Sequence, residues 1–346
     1  MLSDQLADLR DKACNGVAIS LQQAGDFLKI ENEHQIRVLM SIAQEASYLQ
    51  MSKKVNFYYS SHYFPALSLT GSECALRCKH CETRLLRNLT ASLSPEKLVS
   101  ICRKIACKGA KGVLITGGCT SEGKVSLDRF LDAITLVKKK TDLIVIAHTG
   151  ILDFEEAEEL VAAGMDGAAV NVVGLPEITK AVYGIEITPG DYAGTLSALE
   201  KAGMPIISPH VCVGLNFGHL SHELTSLNLI SGIKPTTVVI TALMPLRGTP
   251  MESINVKAFD VVKVVAVARL MFPRVPITLG CARSKGDDRA LIERLAIQAG
   301  VTSIAVPSDL TLGYARTLGL KAESYAACCA VPPSPILRLI AGEENQ

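Results

Sequence analysis

No charge of either sign dominates this chain of 346 residues, in which Lys plus Arg number 35 and Asp plus Glu 34. An overall basic field of the kind that holds nucleic acid is therefore excluded. No stretch reaches about 18 uncharged apolar residues, so the sequence offers no transmembrane helix and no membrane partner is expected. The N-terminus, MLSDQLADLRDK, is polar and lacks the apolar core of a secretory signal. Low-complexity tracts are absent, and so is any repeat longer than a strand–helix unit. Tryptophan is missing too, which by itself excludes nothing. Apolar residues, by contrast, make up 48% of the chain, ample for a large core, and α/β barrels of this size often form one domain. Eleven cysteines in a long chain without a signal argue against a disulfide framework. They suit a reducing cytoplasm and metal binding.

The stretch TGSECALRCKHCETR at positions 70–84 concentrates that cysteine chemistry. Cys74, Cys78 and Cys81 are spaced Cys-x3-Cys-x2-Cys on a segment without strand or helix periodicity. Three thiolates so close together can grip three corners of a cubane. A [4Fe–4S] cluster normally takes four thiolates, so its fourth iron stays open to a ligand that is not a cysteine. Such a cluster binds and reduces something as well as carrying electrons. His80 puts a flat ring against the cluster edge. Structural zinc calls for four protein ligands, often in paired knuckles, and no second knuckle lies nearby.

Around this loop the hydrophobic pattern is regular. Leu2, Leu6 and Leu9, then Ile36, Leu39, Met40 and Ala43, form apolar stripes at helical spacing. Residues 1–60 are therefore expected as a helical extension, with Asn56–Tyr63 as a Tyr-rich connector. Short apolar runs follow at Ala66–Thr70, Val113–Thr116, Leu143–Ala147, Gly167–Val172, Pro205–Ser208, Thr237–Thr241, Val275–Leu279 and Ser303–Val306. Helical segments separate them. In Pro95–Lys108, Ser94 can cap, Pro95 suits the first helical position, and Leu98, Ile101 and Ile105 share a face. Gly109, Gly164, Gly203 and Gly300 stand where such helices should stop. Eight strands alternating with helices predict a parallel sheet and an α/β (β/α)8 TIM-type barrel over residues 61–327. A partial (β/α)6 barrel is the alternative. Residues 328–346 are left as a tail with a weak linker-plus-helix at Pro332–Leu339, and as a candidate cluster-binding segment.

In a barrel, chemistry gathers at the C-terminal ends of the strands. Gly117, Gly118 and Cys119 follow the second run, His148 ends the third and Asn171 the fourth. His210 and Cys212 follow the fifth, Met244–Pro250 the sixth, and Cys281 to Lys285 the seventh. Two adjacent glycines let backbone approach a ligand, although an ordinary strand-to-loop turn uses them as well. Asn171 can equally cap a strand end. His148 and His210 are candidate cofactor or substrate contacts, and Arg247 can pair a carboxylate. Free cysteines are often simply buried apolar groups, the reading given to Cys102 and Cys107 on an outer helix. Cys281 points to the mouth, where an exposed thiol suggests a ligand. Cys328 and Cys329 follow the last strand–helix unit, and Cys14 lies in the N-terminal helices. These four are candidates for a second cluster, with one of the adjacent pair Cys328 and Cys329 expected to be spare.

The Cys74-x3-Cys78-x2-Cys81 loop resembles the radical S-adenosylmethionine (SAM) signature. The resemblance implies that the open iron chelates SAM, whose one-electron cleavage yields a 5′-deoxyadenosyl radical that abstracts hydrogen. Thr116-Gly117-Gly118-Cys119 resembles the family's Gly-Gly-Glu motif, which contacts the SAM amino group, but with Cys119 in place of the acid. Asn171 resembles a strand-4 position that meets the SAM ribose in biotin-synthase-like barrels. Pro245–Pro250 resembles the Gly-Thr-Pro loop that borders adenine there. Residues 112–119, 122–125 and 279–283 resemble biotin-synthase-like proteins that include two-subunit lipoyl synthases. That branch implies sulfur insertion into a protein-bound octanoyl chain, with a second cluster as the sulfur source. Some lipoyl synthases use a serine as a cluster ligand, which marks Ser284 for testing without assigning it that role. Implied partners are a second radical SAM subunit, a lipoyl-acceptor protein or octanoyl-peptide, and an electron donor such as ferredoxin or flavodoxin. Another radical SAM reaction (methylation, rearrangement or metallocofactor assembly) and a non-catalytic iron–sulfur carrier remain as other functions.

Overall fold

The N-terminal stripes resolve into three helices in the computed structural model, which describes residues 2–284 and 287–339. They are α1 (Leu2–Cys14), α2 (Leu21–Leu28) and α3 (Glu33–Met51). Ser20 and Asn32 cap α2 and α3 by accepting from backbone amides three residues on. Leu9, Ile36, Leu39, Met40 and Ala43 are all buried, so the apolar stripes do face the core. The chain then departs from the expected connector. Lys54–Tyr58 is a strand, β1, in a segment read as helix followed by linker.

The eight expected strands are present. They are β2 (Ala66–Ser68), then, after the short β3 (Thr90–Ala91), β4 (Gly112–Thr116), β5 (Ile144–His148), β6 (Gly167–Asn171), β7 (Ile206–Val213), β8 (Val238–Ala242), β9 (Ile277–Leu279) and β10 (Ser303–Ala305). A last strand, β11 (Lys321–Tyr325), follows. All ladders are parallel, in the order β11-β1-β10-β9-β8-β7-β6-β5-β4-β2-β3. Between them lie α4 (Pro95–Cys107), α5 (Leu131–Lys140), α6 (Phe154–Ala162), the single turn α7 (Pro176–Ile178), α8 (Pro189–Lys201), α9 (Glu223–Ile230), α10 (Ala258–Met271), α11 (Asp287–Gln298) and α12 (Asp309–Thr317). Ser94 caps α4 and Pro95 opens it, as expected. Gly109, Gly164, Gly203 and Gly300 all have positive φ where their helices end.

No ladder joins the β3 edge to the β11 edge among the described residues, so the sheet curls as an α/β barrel without closing its hydrogen bonds. Its concave core shows the curl directly: Tyr58, Ile146, Ala169, Val239, Ala305 and Tyr325, from strands spread across the sheet, share one apolar cluster. The chain's own tail enters that cluster. Ala326–Val331 is buried throughout, and the Ser208 hydroxyl on β7 donates to the Ala330 carbonyl at 2.5 Å. The Ala326 amide donates to Leu337 O and the Leu339 amide to Ser324 O, so the tail doubles back along β11. The expected helix at Pro332–Leu339 is reduced to one 3₁₀ turn, Pro335–Leu337.

Helix α10 is apolar around its circumference because it is covered on two sides. It packs on β8 and β9 beneath and under α2 and α3 above. Its two buried cations find carbonyls. Lys263 donates to Leu28 O and Ile30 O, and Arg269 to Gly300 O, Phe272 O and Pro273 O. The N-terminal helices thus form an outer layer over α10, which matters for Cys14. No helix among the described residues is long and apolar enough to cross a membrane.

Candidate iron–sulfur and cofactor site

The loop after β2 brings its cysteines together by tight local turns. The amides of Cys81 and Glu82 both donate to Cys78 O, and that of Arg84 to Cys81 O. Glu82 and Thr83 take positive φ to follow this path. One nitrogen of His80 and the sulfurs of Cys78 and Cys81 lie within 4.8 Å of one another. The Cys78 thiol is pushed far up, chiefly by its hydrogen bond with Cys81 and then by burial. The same bond, reinforced by the Thr83 backbone, draws Cys81 down to about 7. Burial lowers His80 to about 4, keeping the ring neutral, and its buried Nδ1 has no hydrogen-bond partner. Crowded thiols with one already acidified, beside an orphaned ring nitrogen, fit a bound metal cluster.

Gly117 and Gly118 follow β4 directly onto this loop. A Cβ on Gly118 would stand 2.0 Å from Glu73 O and 2.5 Å from Cys74 Cα. The glycine is therefore required first by contact with the cysteine loop itself. Its amide donates to Thr70 Oγ1 at 2.7 Å. The next amide, Cys119 N, points at Cys74 Sγ at 3.3 Å, and Cys119 O accepts from Ala75 N. Cys119 therefore holds Cys74 through its backbone. Burial, with Cys74 and Cys81 nearby, raises its own thiol to about 11.

The surrounding wall comes from residues with no motif to announce them. Tyr183, in a π-helical turn at Thr179–Tyr183, lies 5.6 Å from the His80 ring. Lys79 donates its amide to Val182 O, and its ammonium sits over the Phe217 ring at 5.6 Å. Arg84 donates to Gly248 O at 2.9 Å, tying the cysteine loop to the Gly-Thr-Pro segment after β8. Arg247 beside it is exposed.

Farther into the barrel, β7 runs to Val213, longer than expected, so His210 and Cys212 belong to the strand. Period two places Ser208 and His210 on one face. Asn171, exposed at the end of β6, is in register with His210. His148 accepts or donates at Nδ1 with Thr116 Oγ1 (3.3 Å), and its ring meets that of His210 edge-on at 6.0 Å. Burial lowers His148 to about 4 and, helped by His148, His210 to about 3. Beyond His210, Cys329 Sγ lies 3.9 Å from Nε2 and 4.0 Å from Cys328 Sγ. Cys281, exposed after β9, has its thiol pushed well up, first by the adjacent Cys329 thiol.

Three of the four cysteines expected beyond the first loop thus converge, and Cys14 does not. Its neighbours are Glu45, Arg10 and Asp11, and its carbonyl accepts from Gln50 of α3. Its helix, α1, packs on α3, which in turn covers α10. Cys328 and Cys329 are both buried, with their thiols side by side. A turn from Cys328 O to Val331 N brings the adjacent side chains round. Ser284 stands at the end of the described Cys281 loop, and Lys285 lies outside the described residues.

A curled parallel barrel whose first long loop sets Cys78, His80 and Cys81 together, with Cys74 on the same loop held by the Cys119 amide, defines an iron–sulfur α/β-barrel protein. Residues 68–221 match the model of the Radical SAM superfamily, and residues 239–325 that of the Biotin and Thiamin Synthesis associated domain. The chain thus carries a radical SAM domain over residues 68–221 and is similar to radical SAM enzymes, with a [4Fe–4S] cluster and SAM as the cofactors that fit it. Biotin synthase of Marinobacter nauticus is 27% identical over 287 residues, 76% of this chain and 78% of that one. Biotin synthase of Neorickettsia sennetsu is 27% identical over 250 residues, 69% and 74% of the two chains. Methylornithine synthase (PylB) shares the fold with a TM-score of 0.68 at 18% identity, over 91% of this chain and 97% of that one. The hydrogenase maturase HydG of Carboxydothermus hydrogenoformans gives 0.66 at 18% identity, over 95% and 81%.

Proposed function

We propose that the chain inserts sulfur into unactivated C–H bonds of a protein-bound octanoyl group, as a subunit of a two-component lipoyl synthase. The observation that carries this reading is the convergence of Cys281, Cys328 and Cys329 inside the same barrel that presents the Cys74–Cys81 loop. A second group of thiols beside the first cluster suits a reaction that draws sulfur from a second cluster. The relatives named biotin synthase, spread over most of the chain, support it.

An octanoyl methylene offers no acid, base or leaving group to polar catalysis. When bound, the first cluster supplies the electron that cleaves SAM to methionine and a hydrogen-abstracting radical. Cys74, Cys78 and Cys81 hold that cluster in this reading, and the Cys119 amide donates to one of its ligand sulfurs. Gly117, Asn171 and His148 face the cofactor from β4, β6 and β5. His80 and Tyr183 shield one side, and the apolar barrel wall excludes water from the radical. The partners proposed are a paired radical SAM subunit, an octanoylated acceptor protein and a reduced ferredoxin or flavodoxin.

The test is anaerobic turnover with an octanoyl-lysyl peptide, SAM and reductant, with and without the paired subunit. Formation of 5′-deoxyadenosine together with thiolated octanoyl peptide supports the proposal. 5′-Deoxyadenosine without any sulfur in the peptide assigns a different radical SAM reaction.

A further inference from the structure

The sequence offers Cys14 and Ser284 as further ligands for a second cluster. The structure offers His210 instead. Its Nδ1 lies 2.8 Å from Ser208 O. A carbonyl only accepts, so Nδ1 carries the proton and Nε2 is left with a lone pair. That lone pair faces Cys329 Sγ at 3.9 Å. A backbone carbonyl on one ring nitrogen, fixing tautomer and orientation for the other, is the usual support of a metal-bound histidine.

The opposite side of the site is held equally firmly. Ser208, two residues before His210 on the same face of β7, donates to Ala330 O next to Cys329. The same residue thus anchors the ring through its carbonyl and the cysteine segment through its hydroxyl. The thiols of Cys328 and Cys329 are 4.0 Å apart, far from the roughly 2.05 Å of a disulfide, and all three cysteines are free.

We propose that Cys281, Cys328, Cys329 and His210 are the four ligands of the second cluster, with Nε2 of His210 completing the coordination left open by three thiolates. That the group is an iron–sulfur cluster rests on the sulfur-insertion reading. The donor set rests on the contacts of Cys329 with Cys281, Cys328 and His210, and no three of the four donor atoms lie within 4.8 Å of one another as a single zinc ion would require, whereas a cubane spans wider corners. Replacing thiolate by imidazole at iron raises the reduction potential. The second cluster should therefore be easier to reduce than an all-thiolate cubane at the same position.

The test uses the full-length chain reconstituted anaerobically with iron and sulfide, as wild type and as a Cys74→Ala/Cys78→Ala/Cys81→Ala variant that isolates the second site. The isolated site should retain about four irons. Its reduced form should show nitrogen hyperfine coupling that changes on labelling histidine with ¹⁵N. His210→Ala should remove that coupling, and His210→Cys should keep the irons and lower the potential. A full second cluster that shows no histidine nitrogen, with a potential unmoved in His210→Cys, overturns the ligand assignment and leaves sulfur insertion standing. Wild type that loads only one cubane, or fills the site with zinc, overturns both the second cluster and the reading beneath it.

Discussion

The amide of Cys119 donates to the sulfur of Cys74 across 3.3 Å, at the junction of β4 and the cysteine loop. Hydrogen bonds to ligand sulfurs are among the determinants of a cluster's reduction potential. Here the bond is made by backbone, so it survives the exchange of acid for cysteine at position 119. Thr70 Oγ1 completes the arrangement, accepting from Gly118 N and donating to Glu73 O at 2.8 Å. The Gly-Gly turn is thus part of the cluster's support before it touches any cofactor.

A side chain at Gly118 should therefore damage the cluster as well as SAM binding. The added Cβ meets backbone, Glu73 O at 2.0 Å and Cys74 Cα at 2.5 Å, which cannot rotate away. Gly118→Val should cost about 1–3 kcal/mol of stability through overpacking. It should also lower the iron retained after reconstitution. Iron analysis and thermal unfolding of the apoprotein check this. A variant that loads iron like wild type would show that the loop yields more easily than the contact implies.

Sequence periodicity reaches the eight barrel strands because each begins in a short, mostly apolar run that is largely buried. The cysteine spacing and the cap at Ser94 were equally local signals. The strands missed are those whose residues do not repeat that pattern. Lys321-Ala322-Glu323-Ser324-Tyr325 reads as a polar loop, yet it pairs with β1 over its whole length. Nothing in Ala326–Val331 predicts that small residues fill the concave side of the sheet, because that depends on strands far away in sequence. His210 appeared as one histidine among several. Only the register of β7 and the return of the tail place it against Cys329.

Replacing Cys74, Cys78 and Cys81 together by alanine should abolish SAM cleavage, because among the described residues no other clustered donor set stands at the end of β2. Formation of 5′-deoxyadenosine under reducing conditions is the measurement, and wild-type amounts from the triple variant would refute the assignment. The fold should tolerate the change, since the loop's turns are closed by backbone hydrogen bonds.

Arg283 should prove essential to the position of Cys281. It is buried, pairs with Glu293 at 2.5 Å, and donates to Gly280 O and Ala305 O. Glu293 in turn accepts from Ser308 and Thr311. The ends of β9 and β10 and the start of α12 thus meet on one ion pair. Arg289 also pairs with Glu293 at 2.9 Å, so removing Arg283 leaves the buried carboxylate only this partly exposed cation, at a cost toward the lower end of about 3–5 kcal/mol. Arg283→Ala should lower the unfolding midpoint and the iron load of the second site together. Arg283→Met/Glu293→Leu should recover most of the stability, because the one cation left without its partner, Arg289, is partly exposed to solvent. A single variant as stable as wild type would refute the pair's role.

Glu323 should make the attachment of the tail sensitive to acid. It accepts from Tyr325 and pairs with Lys321, Lys54 and Arg338, the last of these on the returning tail. Lys321 first, then Tyr325 and the other cations, outweigh burial and draw its carboxyl from 4.5 down to about 2. A carboxyl with a depressed folded-state pKa binds its proton more readily in the unfolded chain. Its stabilisation is therefore complete above about pH 4.5 and lost as the pH falls toward about 2. Lys321 and Arg338 are largely exposed, and solvent screening reduces the expected effect to about 1–2 kcal/mol. In the apoprotein, Glu323→Gln should lose that much at neutral pH and should flatten the stability profile across the acidic window. Denaturant unfolding at a series of pH values measures both. Hydrogen exchange at the amides of Ala326 and Leu339, which bond to Leu337 O and Ser324 O, reports the tail separately. Faster exchange there in Glu323→Gln, with the barrel strands unchanged, would locate the loss in the segment that carries Cys328 and Cys329. Uniform change across the sheet would instead assign Glu323 to the β1–β11 ladder.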